Sequence, residues 1–438
     1  MLDQDIAILG FGVTGQSVAR FLLAQGIAPR VFDTRENLVL PEEFVDLDIT
    51  WRAKPQDMAS CATAYVSPGL SLASCELEAA RAAGVRLRSD IDLFFDHVPA
   101  PVLGITGTNG KSTVTTMVEH VLRASHVAAA AGGNLGLPAL DLLDDEVQCY
   151  VLELSSFQLQ RSEILPLRAA TVLNISADHI DMHGDYANYV ASKRRIYDAA
   201  AYKVWNRDDS ATKPDPTGTN DVSFGLSCPT AEHEYGIGVC DGERMLMRGT
   251  ETLAVIDELP LAGSHNELNA LASFAMVDGL GAVTDLGSLA SFAGLAHRFE
   301  FVADIDGVRY INDSKATNVG STIAALDGLP EGQTTILIAG GDAKGADLGP
   351  LAPRLHTRVR CVLSLGVDAH AIEAQAEVAG VQSQRCESLD DAVARAARIA
   401  APGDTVLLSP ACASLDMFDN YARRGEAFCA AVAELSQA

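Results

Sequence analysis

A glycine-rich stretch after residue 104 carries residue types that bind phosphate. The sequence ITGTNGKST occupies residues 105–113. Backbone N–H groups of such a turn can surround an anion, Lys111 supplies a positive charge, and the Ser112 hydroxyl can ligate Mg²⁺. A strict Walker A pattern needs glycine where this chain has Ile105, so the spacing differs from that of a generic P-loop ATPase. We interpret the stretch as a phosphate-binding loop rather than a glycine turn with a surface lysine.

A second glycine turn lies near the N-terminus. GFGVTG (10–15) follows the apolar run IAIL and opens a helical pattern, and Asp33 ends the next predicted strand. This arrangement matches the dinucleotide-binding fingerprint, in which a diphosphate meets a helix N-terminus and a carboxylate lies near a ribose hydroxyl. Any nucleotide diphosphate suits that geometry, so the pattern does not select NAD, and a purely structural turn is the alternative.

Possible metal ligands follow two predicted strands. Glu153 lies near the end of the run YVLEL (150–154), where it could hold Mg²⁺ together with Ser112, although an exposed acid at a strand end is common. His179 and His183 have the i, i+4 spacing of zinc ligands. However, Gly184 opposes a continuous helix and no H-E-x-x-H pattern is present. We therefore expect His179 to meet a hard cation, and we do not expect zinc.

Lys193 lies on a predicted helix around ANYVASKRRIYDAA. Val190 and Tyr197 share its helical face. A lysine on a partly apolar face most often extends its amine to solvent, but a lysine with a lowered pKa can react. The pattern alone leaves both interpretations open.

Three polar loops follow predicted strands in the last third of the chain. Asp313 follows VRYIN, Lys344 lies in GGDAKGADL, and Ser414 lies in SPACASLDMF. Because the carboxyl ends of parallel strands share one edge of a sheet, these loops predict a single ligand-binding edge. Each loop taken alone could be a capping turn.

The elements that must position these residues alternate between strands and helices. This alternation predicts an α/β fold with parallel sheets covered on both faces. We divide the chain into three α/β units at 1–95, 96–298 and 299–438. The two prolines of DHVPAPV (96–102) indicate a linker after the first unit.

The predicted strands are short apolar runs. They comprise DIAILGF, PRVFD, TAYVSPG, VRLRS, PVLGIT, YVLEL, ATVLNIS, KVWN, VRYIND, TTILIAGG, RCVLSLG and TVLLSP. Residues 206–262 predict turns and short strands. The following helix has a capping box, with Ser264 at the N-cap and Glu267 three residues later, and an apolar stripe through Leu268, Leu271 and Phe274 or Ala275.

Composition narrows the classes of function. The 438 residues include 48% hydrophobic and 21% charged residues, typical of globular domains, and the net charge of −26 argues against nucleic-acid and anionic-membrane surfaces. The nine cysteines form no C-x-x-C pair, as expected for a reduced, cytosolic chain. The acidic N-terminus does not resemble a signal peptide, and no apolar run approaches about 18 residues. We expect a soluble cytoplasmic protein, with no nucleic-acid or membrane partner, that is a monomer.

Taken together, the motifs resemble the Mur ligase family of ATP-dependent amino-acid ligases across essentially the whole chain. The family's fold implies an N-terminal Rossmann-like domain, a central P-loop-type mononucleotide-binding α/β domain, and a C-terminal Rossmann-like α/β domain. Nine ordered motifs carry the resemblance: TGTNGKST (106–113), GGNLG (132–136), LELSSFQL (152–159), SADHIDMHG (176–184), HNxxN (265–269), HR (297–298), NDSKATN (312–318), GGDAKGADL (340–348) and SPACASLDMF (409–418).

The resemblance implies a reaction. It implies that D-glutamate is added to UDP-N-acetylmuramoyl-L-alanine through an acyl phosphate, with ATP and two Mg²⁺, in peptidoglycan precursor synthesis. Sibling ligases that add alanine, a diamino acid, or glutamate to folate are the main alternatives, and the last three motifs favour D-glutamate. An NAD-dependent dehydrogenase would use only the first unit. A nucleotide-driven switch would use only the phosphate loop, and no N-K-x-D guanine signature is present.

The resemblance also implies three sets of contact residues. The ATP set is Gly107, Thr108, Asn109, Gly110, Lys111, Ser112, Thr113, Asn266, Asn269, His297, Arg298 and Asp313. The UDP-substrate set is Thr14, Asp33, Thr34, Arg35, Ser67, Pro68, Gly69 and Asn134. The amino-acid set is Lys315, Thr317, Lys344, Ser414, Leu415 and Tyr421, the last in place of an expected phenylalanine.

Metal ligation and catalysis follow from the same resemblance. Ser112 and Glu153 are implied ligands of one Mg²⁺ and His179 of a second. Lys193 matches a lysine that reacts with CO₂ to become a carbamate, which turns a cation into a carboxylate-like metal ligand. The implied catalytic residues are Lys111, Lys193, His179 and Arg298.

Overall fold

The computed structural model describes residues 5–435, except 37, 59–60, 72–73, 179, 219–220, 260–262, 282–285 and 331. Three sheets with flanking helices make up the fold, so the predicted α/β class is confirmed. The chain divides into two compact units. The first is Met1–Ile256 with Asn269–Leu289, and the second is Asp257–Leu268 with Ala290–Ala438.

The N-terminal sheet has five parallel strands in the order β3-β2-β1-β4-β5. The strands are β1 (Ile6–Leu9), β2 (Arg30–Asp33), β3 (Ile49–Trp51), β4 (Thr63–Val66) and β5 (Arg86–Arg88). The helices are α1 (Val13–Ala24), α2 (Pro55–Met58), α3 (Cys75–Ala82) and α4 (Asp90–Phe95). Because the strand order reverses beside β1, the loops after β1 and β4 meet at a topological switch point, where α/β sheets bind ligands.

The central sheet has nine strands in the order β14-β13-β12-β11-β10-β9-β6-β8-β7. The strands are β6 (Val102–Thr106), β7 (Ala129–Gly133), β8 (Cys149–Glu153), β9 (Ala169–Val172), β10 (Lys203–Asn206), β11 (Val222–Phe224), β12 (Glu234–Cys240), β13 (Glu243–Arg248) and β14 (Glu251–Val255). Strands β6 to β12 pair in parallel, whereas β12, β13 and β14 pair antiparallel. Strand β6 therefore lies between β8 and β9, and the loops after these three strands meet at one edge.

Five helices accompany the central sheet. They are α5 (Lys111–Ala124), α6 (Ser156–Arg161), α7 (Ile180–His183), α8 (Tyr186–Arg194) and α9 (Ser264–Leu280). The capping prediction for α9 was wrong by one residue, because the N-cap is Gly263 and not Ser264. The carbonyl of Gly263 accepts the amides of Asn266 and Glu267 at 2.9 and 3.2 Å, as expected of the residue that precedes the first helical turn. The predicted stripe was also too narrow, since every residue from 269 to 277 is buried.

The C-terminal sheet has six strands in the order β15-β16-β20-β17-β18-β19. The strands are β15 (Glu300–Ile305), β16 (Val308–Asn312), β17 (Thr335–Gly340), β18 (Val359–Leu365), β19 (Gln382–Arg385) and β20 (Thr405–Leu408). The helices are α10 (Val319–Asp327), α11 (Ala352–Arg358), α12 (Ala369–Ala379), α13 (Leu389–Ile399) and α14 (Tyr421–Leu435). All pairs are parallel except β15 with β16, so the ends of β16, β20 and β17 lie side by side.

Apolar side chains join the first two sheets into one unit. A single buried cluster runs from Ile8 and Phe94 to Tyr150 and Leu152, and the rings of Phe94 and Tyr150 meet edge to face at 5.4 Å. Two further clusters cover the two faces of the C-terminal sheet. Within the described ranges, no helix combines the length and apolar character needed to cross a bilayer.

Candidate active site

The phosphate loop lies between β6 and α5. Ile105 is buried inside β6 and pairs with Glu153 of β8, so position 105 belongs to the strand and the turn begins after it. Gly110 has a φ of +82°, and a Cβ there would lie 2.6 Å from Asn269 Oδ1. A side chain at Gly110 would therefore be strained and would clash. Position 105 therefore holds a buried strand residue instead of the first glycine of a strict Walker A motif.

Asn174, which follows β9, fixes the shape of the loop. Its Oδ1 accepts the Asn109 amide at 2.8 Å, and its Nδ2 donates to the Asn109 carbonyl at 3.0 Å. Its own carbonyl accepts the Thr108 amide at 2.9 Å. The sequence interpretation missed this residue, and the available signal was its position at the carboxyl end of a strand beside the loop.

Lys111 folds back over the loop that precedes it. Its Nζ donates to the carbonyls of Gly107 and Thr108 at 3.0 and 2.9 Å. These bonds place the ammonium group against the turn. A lysine in this position can meet a phosphate held by the loop amides.

Ser112 and Glu153 face each other because β6 and β8 are neighbours. Ser112 Oγ donates to Glu153 Oε2 at 2.5 Å, and Asn134 Nδ2 donates to Oε1 at 2.7 Å. Glu153 is only 3% exposed. A hydroxyl and a carboxylate are the oxygen donors that Mg²⁺ prefers, so the donor set fits a hard cation.

Few side chains in the described part of the chain could ligate a metal ion together. In the described part of the chain, no three His, Cys, Asp or Glu side chains cluster as a metal site. His179, the predicted ligand of a second Mg²⁺, lies outside the described residues. A cation at Ser112 and Glu153 would therefore take much of its coordination from phosphate oxygens and water, as Mg²⁺ does in phosphoryl-transfer sites.

Lys193 is buried, so it does not extend its amine to solvent. The residue is 2% exposed, and its Nζ donates to the Gly107 carbonyl at 2.8 Å. The amine also lies 4.7 Å from the centre of the Tyr189 ring. Burial, together with the nearby charge of Lys111, lowers the pKa of Lys193 well below its ordinary value. The environment therefore favours a neutral, nucleophilic amine.

His183, the other histidine of the i, i+4 pair, is part of the packing between two helices. It is buried, its Nε2 lies 3.0 Å from Ser156 Oγ, and its ring stacks on Phe157 at 5.1 Å. Helix α7 ends at His183 and Gly184 has a φ of +85°, as the glycine predicted. His183 therefore helps to pack α7 against α6.

The N-terminal glycine turn is held by a buried carboxylate. Asp33 accepts the Phe11 amide at 2.7 Å and the Arg35 guanidinium at 2.6 and 2.9 Å. Burial alone would raise the pKa of Asp33, but the hydrogen bonds from Arg35 and from backbone amides outweigh it and lower the pKa to about 2. Asp33 is thus a charged organiser of the turn.

Other predicted UDP-substrate contacts surround this turn. Ser67 Oγ donates to the Gly10 carbonyl at 2.7 Å, which joins the loop after β4 to the turn after β1. Thr34, Arg35 and Gly69 are exposed. Asn134 lies apart from them, since its side chain bonds to Glu153. The structure therefore brings Asp33, Arg35 and the Ser67 loop together and places Asn134 beside the predicted metal ligands.

Asp313 lies at the end of β16 in the C-terminal sheet. Ser409 Oγ donates to its Oδ2 at 2.8 Å, and the Phe299 amide donates to its Oδ1 at 3.2 Å. Burial raises the pKa of Asp313 to about 7, although these bonds and the charges of Arg298 and Arg424 oppose the shift.

The predicted amino-acid contacts lie on three neighbouring loops. Lys315 Nζ stands 3.9 Å above the centre of the Tyr421 ring, so tyrosine in place of phenylalanine still offers an aromatic face to this cation. The loop of Lys344 pairs with the loop of Ser414 through two bonds between Asp342 and Ala413, at 3.1 and 2.9 Å. Lys344 and Leu415 are exposed, whereas Ser414 is buried.

Arg424 joins two of these loops and was missed from sequence. The buried guanidinium donates to the Ser314 carbonyl at 2.8 Å and to the Cys412 carbonyl at 3.2 Å. Such a role leaves no sequence pattern, because its partners, the carbonyl and hydroxyl of Ser314 and the carbonyl of Cys412, meet only in the folded chain.

The remaining predicted ATP contacts lie on different segments of the chain. His297 Nδ1 lies 2.9 Å from Asn312 Nδ2, and the His297 carbonyl accepts the Lys315 amide at 3.0 Å. Asn269 lies against Gly110 of the phosphate loop. Asn266 precedes it by one helical turn on α9.

This phosphate loop, with its lysine, hydroxyl and carboxylate at one sheet edge, defines a mononucleotide-binding α/β protein. Three family models together match most of the chain: "Mur ligase MurD-like, N-terminal domain" matches residues 4–89, "Mur ligase middle domain" matches 105–277, and "Mur ligase, glutamate ligase domain" matches 297–412.

Curated relatives match along their full length. A protein of Pseudomonas fluorescens Pf-5 named UDP-N-acetylmuramoylalanine–D-glutamate ligase is 45% identical, with 99% of each chain covered. The Nitrosococcus oceani protein of the same name is also 45% identical, with 98% of this chain and 96% of the relative covered. The chain belongs to the Mur ligase family.

Solved structures share the fold at low identity. The UDP-N-acetylmuramate-alanine ligase MurC of Thermotoga maritima aligns with a TM-score of 0.62 at 18% identity, covering 98% of this chain and 99% of that chain. The MurF ligase of the same organism, in complex with ADP, aligns with a TM-score of 0.59 at 18% identity, covering 99% and 97%. The three-domain architecture expected from the sequence is thereby confirmed.

Proposed function

We propose that this protein is an ATP-dependent ligase that joins D-glutamate to UDP-N-acetylmuramoyl-L-alanine during peptidoglycan precursor synthesis. The observation that carries this function is the 45% identity, over 99% of both chains, to a relative named for that reaction. The phosphate loop and the facing Ser112–Glu153 pair supply the chemistry that such a reaction needs. The dehydrogenase and nucleotide-switch alternatives leave most of these features without a role.

The reaction proceeds by activation of a carboxylate. An oxygen of the alanyl carboxylate attacks the γ-phosphorus of ATP, the bond to the β,γ-bridging oxygen breaks, and ADP leaves with that electron pair. The amine of D-glutamate then attacks the acyl phosphate carbon, loses a proton, and expels phosphate from a tetrahedral intermediate. Both partners of the first step are anions, so positioning and charge neutralisation dominate catalysis.

ATP is bound by the phosphate loop and by residues of the C-terminal part. We assign the phosphates to the amides of 107–113 and to the Lys111 ammonium, which already lies against this turn. We assign Arg298 to the transferred phosphate and Asp313 to the ribose. His297, Asn266 and Asn269 complete the nucleotide contacts.

Ser112 and Glu153 would hold one Mg²⁺, and His179 with a modified Lys193 a second. Bound there, Mg²⁺ would neutralise charge on the phosphate oxygens. For the modification, the neutral Nζ of Lys193 attacks the carbon of CO₂ and a proton leaves, which forms an anionic carbamate. Burial of this amine beside Gly107 supports the proposal, because an ammonium group would repel a cation at the same place.

The two other substrates meet separate parts of the chain. UDP-N-acetylmuramoyl-L-alanine uses the turn of Thr14, the segment 33–35 and the loop 67–69 for its uridine diphosphate, and Asn134 for its muramoyl-alanine part. D-Glutamate uses Lys315 and Lys344 for its two carboxylates. Thr317, Ser414, Leu415 and Tyr421 complete that site.

The remaining expectations concern the whole molecule. We propose domain boundaries at 95/96 and 298/299, close to the gaps between the matched family models. We propose that the protein acts in the cytoplasm, where ATP is available, and as a monomer.

Phosphate release tests the substrate assignment. The protein is incubated with ATP, Mg²⁺ and UDP-N-acetylmuramoyl-L-alanine, and each of D-glutamate, L-glutamate, L-alanine and a diamino acid is added in turn. We expect rapid phosphate release with D-glutamate alone. Reactions without the UDP-substrate serve as controls and are expected to be silent, whereas turnover with ATP alone would favour a nucleotide switch. Turnover with another amino acid but not with D-glutamate would overturn the assignment.

A further inference from the structure

Arg161 connects two parts of the first unit that are distant in sequence. It is the last residue of α6, the helix that follows β8 and its terminal Glu153. One guanidinium nitrogen, Nη1, donates to the Phe157 carbonyl of the same helix at 2.9 Å. The other, Nη2, donates to the carbonyl of Leu70, which lies beyond β4 in the N-terminal sheet.

Leu70 belongs to the loop proposed to contact the UDP-substrate. Its amide donates to the Ser67 carbonyl at 3.2 Å, which closes a tight turn over 67–70. Ser67 in turn bonds to the other glycine turn, through Oγ to the Gly10 carbonyl at 2.7 Å and through its amide to the Leu9 carbonyl at 2.9 Å. A shift of the 67–70 turn would therefore also displace the turn at Gly10.

The same end of α6 is tied to the helix that carries Lys193. Arg195 Nε donates to the Leu159 carbonyl at 2.8 Å, and its Nη2 donates to the Ser162 carbonyl at 2.7 Å. Arg195 follows Lys193 by two residues. Helix α6 thus begins near one predicted metal ligand, is held beside another, and reaches the UDP-substrate loop through Arg161.

Burial lowers the pKa of the Arg161 guanidinium to about 10, and the charge of Asp90, a 4% exposed residue at the start of α4, partly opposes this shift. Within the described ranges, Asp90 Oδ1 and Arg161 Nε have no hydrogen-bond partner. Arg161 therefore holds Leu70 with a guanidinium that is only partly exposed to solvent.

We propose that Arg161 is a positioning residue for the UDP-substrate, because it fixes the 67–70 turn relative to β8 and α6. The contact between Arg161 and Leu70 would thereby set the spacing between the proposed diphosphate site and Glu153. This inference rests on the proposed function, which assigns the UDP-substrate to that turn.

Calorimetric binding of UDP-N-acetylmuramoyl-L-alanine without ATP tests the inference. We expect Arg161→Ala to raise the Kd about tenfold, the effect of losing a charged hydrogen bond. The KM for ATP should stay within about twofold, because the hydrogen bonds of Arg161 in the described structure go to Phe157 and Leu70, outside the phosphate loop. Arg161→Lys keeps a charge opposite Asp90 and one donor for Leu70, so its Kd should lie between those of the wild type and Arg161→Ala.

Arg86→Ala is the matched control. Arg86 also joins the two sheets, through an ion pair with Glu163 at 2.9 Å, but it is exposed and remote from the 67–70 turn. It should bind the UDP-substrate like the wild type, since exposed ion pairs contribute little.

The possible outcomes distinguish the proposed function from the positioning role of Arg161. No binding of UDP-N-acetylmuramoyl-L-alanine by the wild type would overturn the proposed function itself. Normal wild-type binding with an unchanged Kd in both Arg161 variants would overturn only the positioning role. A loss of thermal stability that raises the KM of every substrate equally would assign Arg161 a structural role and would also overturn it. If Arg161→Ala does not fold, Arg161→Lys decides between these results.

Discussion

The first unit contains two glycine turns that join a strand to a helix, and their surroundings differ. The turn at Gly10 is held by the carboxylate of Asp33 and the hydroxyl of Ser67. The turn at Gly110 is clamped by the amide of Asn174 and is covered by the amines of Lys111 and Lys193. The two turns thus have the same place between a strand and a helix but present different charges to a ligand.

The difference in charge suits the first turn to substrate binding and the second turn to the reaction. The segment GFGVTG has no lysine or arginine, so it offers a diphosphate backbone amides, a helix N-terminus and the Thr14 hydroxyl but no positively charged side chain. The second turn adds the Lys111 ammonium, which can neutralise charge that develops during phosphoryl transfer, and the facing Ser112 and Glu153, whose oxygens could hold Mg²⁺ for the same purpose. The first turn is suited to a phosphate that stays intact, and the second to one that is transferred.

The largest expected effect comes from removing the buried amine of the second turn. We expect Lys193→Ala to lower kcat at least about 100-fold, since a metal ligand and its charge are lost. Added formate or acetate should restore part of the activity, because a small carboxylate can occupy the space of the proposed carbamate. Initial rates of phosphate release with and without these anions provide the measurement.

Arg194→Ala is the control for this experiment. Arg194 is the next residue of the same helix, but its Nε donates to the Ala211 carbonyl, away from the phosphate loop. It should retain kcat within about twofold, as is usual for substitutions away from the site. Full activity of Lys193→Ala would refute the carbamate proposal, and so would a defect that no carboxylate relieves.

Exchanging one glycine in each turn tests whether the turns serve different ligands. A Cβ at Gly15 would lie 2.1 Å from the Gly10 carbonyl oxygen, and one at Gly110 would lie 2.6 Å from Asn269 Oδ1. We expect Gly15→Ala to raise the KM for the UDP-substrate about tenfold or more, and Gly110→Ala to do the same for ATP, since relieving such a clash costs about 1–3 kcal/mol.

Each glycine variant is the control for the other. Steady-state titration of both substrates with both variants gives four KM values, and only the matched pairs should change strongly. If Gly15→Ala impaired ATP use as much as UDP-substrate use, the proposed division of labour between the turns would be incorrect.

The sequence predicted the parts of the fold with strong local patterns. Strands such as β6 and β17 are buried along their whole length, and their apolar runs are visible in the sequence. Strand β3, whose three residues are all half-buried, and strand β19, which is partly exposed, were missed because neither has an apolar run or a clear alternation. Strand β7, which reads AAAGG, lacks the β-branched residues typical of strands.

The predictable part of the candidate site consists of side chains that can bind phosphate or a metal and that also lie near the end of a predicted strand. The proximity of Ser112 and Glu153 followed from their places in the phosphate loop after one strand and at the end of another strand beside it. Asn174, Arg161 and Arg424 were not predictable, because each acts through bonds with main-chain atoms far away in sequence, and only the packed structure shows those partners. The substrate roles of the predicted residues remain predictions.

The smallest expected effect concerns the carboxylate that organises the first turn. Asp33→Asn keeps an acceptor for the Phe11 amide but turns an NH₂ group toward Arg35. We expect the Kd for the UDP-substrate to rise about fivefold, which corresponds to about 1 kcal/mol, without any change in the KM for ATP. If Asp33 also contacts the ribose directly, the Kd should rise further, so the size of the effect distinguishes an organiser from a ligand contact.

The pH dependence gives an independent measurement of the same residue. The pKa of Asp33 in the fold, about 2, lies below the ordinary value of 3.8, so its charged form stabilises the folded state. This contribution is fully present above about pH 4 and is lost as the pH falls through about 2. The Tm of Asp33→Asn should therefore lie below that of the wild type at pH 5 to 8, and the two values should converge between pH 4 and 2.5. A difference that stays constant, or grows, as the pH falls would show that Asp33 does not hold the first turn through its charge, and the contrast with the lysine-covered second turn would then have a different origin.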